Sequence, residues 1–267
     1  MRPPSHARIQ APELPRGGDW LNASAAANPA RAPAGGALLV EFWDFARVHS
    51  LRTLPYTKEW HARYSEAGLR VIGVHSPGYS FGRERETVAR AVERLEVPYP
   101  VLLDPRLETW RLYGNKGWPA RYLFDAAGRL ALVHYGEGEY EDTELAIGEC
   151  LGVEVEPLDP LRPEDAPGAL LTPQTADIEL PAERGRLELV RDWFDGEDWI
   201  EAADAGAAAR FSYSAGGAYA VLSGAGLEPG LYESDGAVEA ESPGLRLHGV
   251  QFTPIPPSGA SARPAPS

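Results

Sequence analysis

The sequence contains one cysteine, Cys150, in 267 residues. One thiol cannot close an internal disulfide, hold a thiolate metal cluster or form a two-cysteine redox centre within a chain. Lysine is scarce as well. Lys58 and Lys116 are the two, and arginine supplies the rest of the 25 basic residues. Against them stand 39 acidic residues, for a formal net charge of −14. So acidic a chain lacks the basic face that nucleic acid or an anionic membrane needs in its main partner. No apolar run is long enough to cross a bilayer, and the longest, Ala37–Trp43, is interrupted by Glu41. Where a secretory leader would place its apolar region, the N-terminal stretch carries Pro, Glu and Arg. The expected location is therefore cytoplasmic. The six histidines show no metal-ligand spacing and no glycine-rich loop has phosphate-cradle spacing. No metal and no cofactor are expected.

What is present describes a globular protein. Hydrophobic residues make up 43% and charged residues 24%, which excludes wholesale disorder. Charge divides the chain unevenly. Residues 1–152 carry 18 basic and 19 acidic side chains, whereas residues 153–267 carry 7 and 20, a break that suggests two modules. Pro157, Pro160, Pro163, Pro167 and Pro173 crowd the junction, and proline favours extended chain there. The expected organisation is an N-terminal extension over 1–35, an α/β domain over 36–152, a proline-rich linker over 153–174, an acidic β domain over 175–256 and a disordered tail over 257–267.

In the first module, Ala37–Trp43 and Leu69–His75 read as strands covered on both faces. Helices are expected over Ser50–Ala67, with Pro55 near its start, and over Arg85–Leu95, where Val88, Ala91, Val92 and Leu95 share a face. Val101–Leu103 reads as a short apolar segment and Glu108–Tyr113 as a short helix. Arg121–Phe124 and Arg129–His134 read as a hairpin turned at Asp125–Gly128, followed by a helix over Tyr140–Leu151. This order implies a central mixed sheet with helices on both faces. The second module shows short strand-like runs at Arg186–Val190, Arg210–Tyr213, Ala218–Leu222, Ala237–Glu241 and Leu245–Phe252. Turns are expected at Gly224–Gly226 and Glu228–Gly230, giving a mostly β, sandwich or jelly-roll-like domain.

Four ordered segments, Val40–Pro55, Gly73–Pro77, Trp118–Asp125 and Gly136–Tyr140, resemble the thioredoxin superfamily, in its TlpA-like and DipZ-like branch. The later chain, through Thr172–Thr175 and its terminal strand pattern, resembles the acidic β domain that follows the thioredoxin domain in DipZ-like proteins. The resemblance implies a thioredoxin fold and, in the family at large, a Cys-x-x-Cys pair at the start of the first helix. A helix N-terminus favours a thiolate there. Carried onto this sequence, the two cysteine positions are Arg47 and Ser50. Exchange proceeds through a mixed disulfide, which neither residue can form, and a peroxidase of this superfamily also needs a thiolate in that loop.

The resemblance also places the family's buried acid at Glu41 and its cis-proline at Pro119. Arg47 either pairs with Glu41 or points to solvent. Trp43, Arg47, Val48, His49, Ser50, Trp118 and Pro119 would then line a groove that binds an unidentified peptide or protein without chemistry. Two alternatives stand beside this reading. One is a thiol–disulfide oxidoreductase-related protein that acts through a partner or through Cys150, which otherwise reads as a core residue on the face of Thr143 and Ile147. The other is a carbohydrate-binding role of the β domain at Trp193 and Trp199, whose rings otherwise close a sandwich edge. Asp44, His49 and Ser50 do not have the spacing of a hydrolytic triad, and Ser50 reads as a helix cap. The acidic run Glu137, Glu139, Glu141, Asp142 and Glu144 reads as a helix start rather than a cation site.

Overall fold

The structure, a computed structural model, describes residues 9–15, 17–23, 32–169 and 174–257. The chain forms two compact units. The first is Met1–Phe45, His49–Gly78 and Gly82–Pro160, and the second is Ala46–Val48, Tyr79–Phe81 and Leu161–Ser267. The division falls inside the expected linker. Residues 153–160 are not free of the first unit, because Leu158 N donates to Glu144 Oε2 at 2.9 Å and Val153 N donates to Gly148 O at 3.1 Å. Of the expected tail, 258–267 lie outside the described residues.

The first unit is built on a six-stranded sheet. Its elements in chain order are β1 (Trp20–Leu21), β2 (Ala37–Trp43), α1 (Val48–Tyr64), β3 (Leu69–His75), α2 (Arg85–Arg94) and β4 (Val101–Leu103). Then come α3 (Glu108–Leu112), β5 (Ala120–Phe124), β6 (Leu130–Tyr135) and α4 (Tyr140–Leu151). The strand order is β1-β4-β3-β2-β5-β6. β2, β3 and β4 run parallel, and β2 pairs antiparallel with β5, as does β5 with β6. A parallel βαβ crossover followed by an antiparallel hairpin and a closing helix is the thioredoxin arrangement. All seven residues of β2 are buried, as a strand covered on both faces requires. Leu38, Val40 and Phe42 pack with Ile72, Val74, Leu102 and Tyr122, so the alternate residues Leu39, Glu41 and Trp43 turn to the other face. The hairpin turn is held by Asp125, whose Oδ1 accepts from Ala127 N and Arg129 N at 2.9 Å each, and Gly128 takes the positive φ of 74°.

The described residues of the N-terminal extension join the first unit. β1 pairs antiparallel with β4, Leu14 is buried in the core, and Gln10 bridges to Arg129.

The second unit holds β7 (Ile178–Glu179), β8 (Glu188–Val190), β9 (Trp193–Asp195), β10 (Ile200–Ala202) and β11 (Ala208–Arg210). It continues with β12 (Gly217–Gly224), β13 (Leu227–Ser234), β14 (Ala237–Glu239) and β15 (Leu245–Thr253). One sheet has the order β13-β12-β15-β10-β9, with β7 also on β15, and the other has the order β14-β11-β8. All pairings are antiparallel. Ala209 and Val238 from the small sheet join Ile200, Ala220, Leu247, Val250 and Phe252 from the large one in a shared core. This is a β-sandwich. One expectation is corrected: Glu228–Gly230 is not a turn but part of β13. Proline is admitted because β13 is an edge strand and its register shifts here, with Leu222 opposite Gly230 and Gly224 opposite Leu227. The hairpin turns instead at Gly224–Gly226, where three successive residues have positive φ.

Candidate functional site

The segment between β2 and α1 and the first turn of α1 carry the two positions where the resemblance places cysteines, Arg47 and Ser50. β2 delivers the segment, and the strand's last carbonyl, Trp43 O, accepts from Ser76 N at 3.1 Å. Ser76 O accepts in turn from the Trp118 indole at 2.8 Å. Trp43 and Trp118 are thus tied to the end of β3 through one residue. The Trp118–Pro119 peptide bond is cis, and Pro119 O accepts from Gly136 N at 2.7 Å.

Asp44, His49 and Ser50 go separate ways. Ser50 is fully buried in the first turn of α1, and its Oγ accepts from Asp44 N at 3.2 Å. It does not cap the helix, which begins at Val48. The Asp44 carboxylate accepts from Gly78 N at 2.7 Å and lies 3.5 Å from Nε2 of buried His75, which stacks on Phe45. His49 Nδ1 meets Glu137 Oε1, and Arg52 Nε donates to Glu137 Oε2 at 2.8 Å. Burial pushes the Glu137 carboxyl up, but the His49 hydrogen bond and the Arg52 charge outweigh it and hold the group below its ordinary range. No triad forms.

Glu41 sits on the α1-facing side of the sheet with no exposure. Its cross-strand partner is Arg121, likewise fully buried. Arg121 lies over the rings of Tyr140 and Trp60, at 4.9 and 5.6 Å, and donates from Nη2 to Gly138 O at 2.5 Å. The Tyr99 hydroxyl lies 3.4 Å from Glu41 Oε2. Burial pushes the Glu41 carboxyl up to about 7, against the opposing pull of the Thr57 hydroxyl, the Arg121 charge and Tyr99. Burial also lowers Arg121. The cation that acts on Glu41 is Arg121, and Arg47 takes neither of its two expected courses, pairing with Glu179 instead of with Glu41 or solvent.

Arg47 and Val48 belong to the second unit by their contacts. Arg47 Nη1 donates to Glu179 Oε1 at 2.5 Å, and its guanidinium lies 4.5 Å from the centre of the Tyr79 ring. The first N–H of α1, on Val48, donates to Gln251 Oε1 at 2.7 Å. Of the seven residues expected to line a groove, Trp43, Val48, Ser50 and Pro119 are buried, and Arg47, His49 and Trp118 are partly exposed.

Cys150 stands near the end of α4 and is partly exposed. It has left the core face, which Thr143, Ile147 and Gly148 occupy. The acidic run disperses: Glu137 goes to His49 and Arg52, Glu139 to His134, and Glu144 to Arg63 and Tyr64. Among the described residues no group of side chains could hold a metal ion. No helix among them is long and apolar enough to cross a membrane.

In the second unit Trp193 lies in the sandwich core, and Trp199 lies under the Arg246 guanidinium at 4.6 Å. The two rings do not form one open platform. Ser223 Oγ lies 2.8 Å from His248 Nε2, and His248 Nδ1 lies 3.3 Å from Asp198 Oδ1. Sequence reasoning missed this series because its members stand far apart along the chain. His248 is 1% exposed and ringed by Tyr79, Phe81 and Trp199. Arg121 was missed too, although an arginine inside an apolar strand opposite a glutamate is a readable signal.

No protein-family profile matches the sequence. Protein DipZ of Mycobacterium bovis and of Mycobacterium tuberculosis are each 35% identical to it over 177 residues, which is 62% of this chain and 25% of theirs. The chain thus spans about a quarter of the length of those relatives. The thiol-disulfide oxidoreductase ResA of Halalkalibacterium halodurans is 26% identical over 102 residues, 38% of this chain and 55% of its own. A solved thiol-disulfide isomerase from Corynebacterium glutamicum is 24% identical, with a TM-score of 0.46 over 54% of this chain and 98% of that one.

Proposed function

The first unit is a thioredoxin-superfamily domain of the DipZ-like kind, and from that premise we propose a redox-silent module that binds a peptide or protein segment beside Trp118–Pro119. The observation that supports the silence is what occupies positions 47 and 50. Thiol–disulfide exchange needs a thiolate that attacks a disulfide sulfur. The Arg47 guanidinium is engaged with Glu179 and Tyr79, and the Ser50 hydroxyl is buried against Asp44 N. The one thiol, Cys150, is near the C-terminal end of a different helix, whose unpaired N–H groups belong to its first turn. What remains of the family site is backbone and an aromatic side chain. The Trp118 ring is fixed by its bond to Ser76 O and packs on Trp110 at a centroid distance of 4.4 Å. A fixed, partly exposed indole beside a strand end suits an extended peptide.

The test is binding of S-carboxymethylated insulin B chain, an unfolded peptide without a thiol, together with insulin reduction by dithiothreitol. Binding that weakens in Trp118→Ala, with no acceleration of reduction, is the expected result. Accelerated reduction that disappears in Cys150→Ser would establish the oxidoreductase alternative instead. The carbohydrate reading loses its support, since Trp193 is a core residue.

A further inference from the structure

Gln251 and the segment Ala46–Val48 fit one another closely. Gln251 lies in β15 and is fully buried. Its carboxamide oxygen accepts from Val48 N at 2.7 Å. Its Nε2 donates to Ala46 O at 2.8 Å and to the Tyr79 hydroxyl at 3.2 Å. One side chain thus reads both the donor and the acceptor of a three-residue backbone, as a neighbouring strand would. Arg47, between the two, is drawn off to Glu179 and Tyr79. All of these residues fall within the second unit.

We infer that Ala46–Val48 is an internal ligand of the sandwich unit, clasped through its backbone by Gln251, so that the leading N–H of α1 is already committed. The inference deepens the redox-silent reading on which it rests. Losing the thiols removes the nucleophile. The clasp also commits one of the free N–H groups whose summed partial charge at the start of α1 would favour a thiolate. Silence is then a property of how the segment is held as well as of which residues it contains. Cysteines restored at positions 47 and 50 would stay slow to react.

Amide hydrogen exchange of the unmutated full-length chain tests the clasp directly. Val48 N–H and the Gln251 side-chain amide protons should be protected like interior amides of α1. In Gln251→Ala the protection at Val48 should fall by at least about tenfold, while that of β12 is retained. A second variant set reads the same point chemically. In a Cys150→Ser background, Arg47→Cys should react with iodoacetamide about tenfold more slowly than an unfolded cysteine, and adding Gln251→Ala should restore the rate. Val48 exchanging in the unmutated chain at the rate of an open loop would overturn the clasp. So would Arg47→Cys reacting at the unfolded rate while circular dichroism shows the chain folded. If Gln251→Ala does not fold, the unmutated exchange data decide. Insulin reduction by the unmutated chain, abolished by alkylating Cys150, would sink the redox-silent reading and leave the exchange result at Val48 untouched.

Discussion

The two cores bury different things. The hydrophobic cluster of the second unit is made of alanine, aliphatic and aromatic side chains from Ile178 to Phe252, and the polar side chains buried beside it, His248 and Gln251, are hydrogen-bonded. The first unit buries a glutamate and an arginine, Glu41 and Arg121, facing each other across β2 and β5. An apolar core needs volume and shape, and one member can be trimmed at modest cost. A core with buried ionisable groups depends on the particular contacts each one keeps, which for Arg121 are the Gly138 carbonyl and the rings of Tyr140 and Trp60. The difference teaches that stability in the first unit depends on identity at two positions, whereas in the second unit it is spread over many.

The sharpest way to break the comparison is to remove one charge. Arg121→Ala removes a fully buried side chain and its hydrogen bond to Gly138 O and should lower the unfolding free energy of the first unit by about 2–5 kcal/mol in urea, with tryptophan fluorescence as reporter. Replacing both partners, as Glu41→Leu with Arg121→Met, should cost far less. Equal losses for the single and the double variant would show that the two residues act independently.

Second is the pH dependence that the glutamate imposes. Its carboxyl is raised in the folded chain from 4.5 to about 7. The folded state therefore holds its proton more tightly than the unfolded one. The stabilising contribution is fully present below pH 4.5 and is lost as pH rises through about 7. The expected size of the decline is about 3 kcal/mol, at 1.36 kcal/mol per pH unit. Glu41→Gln should flatten this slope, and a slope left intact would assign it to another group. In the apolar cluster of the sandwich, trimming fully buried Ile200 to valine should cost about 1 kcal/mol. Smallest is Arg47→Ala. Glu179 is nearly half exposed, so their ion pair is largely screened and its loss should cost less than about 1 kcal/mol in the second unit's transition.

Much of the architecture was legible in the sequence because it rests on local signals. Unbroken apolar runs marked β2 and β3, and the turn at Asp125–Gly128 marked the hairpin. The closing helix matched its expected bounds, Tyr140–Leu151. Where reading failed, long-range contacts decided. Pro229 looked like a turn until β12 was in place to accept an irregular register opposite it. β9 and β10 are three residues each and carry too little periodicity to be seen alone. The missing thiols at Arg47 and Ser50 were plain in the sequence, whereas the partners of those residues were not. Arg47 finds Glu179 132 positions away, and Val48 finds Gln251 203 positions away. Cys150 was placed on a buried face by spacing, yet α4 ends so soon after it that the thiol is partly exposed.

The short strand Trp20–Leu21 has an effect out of proportion to its size. By pairing with Val101 and Leu102 it covers the outer side of the parallel strands, whose N–H and C=O groups would otherwise stand ready to recruit another chain. Two residues from a stretch rich in proline and alanine thus act as a guard against sheet-to-sheet aggregation.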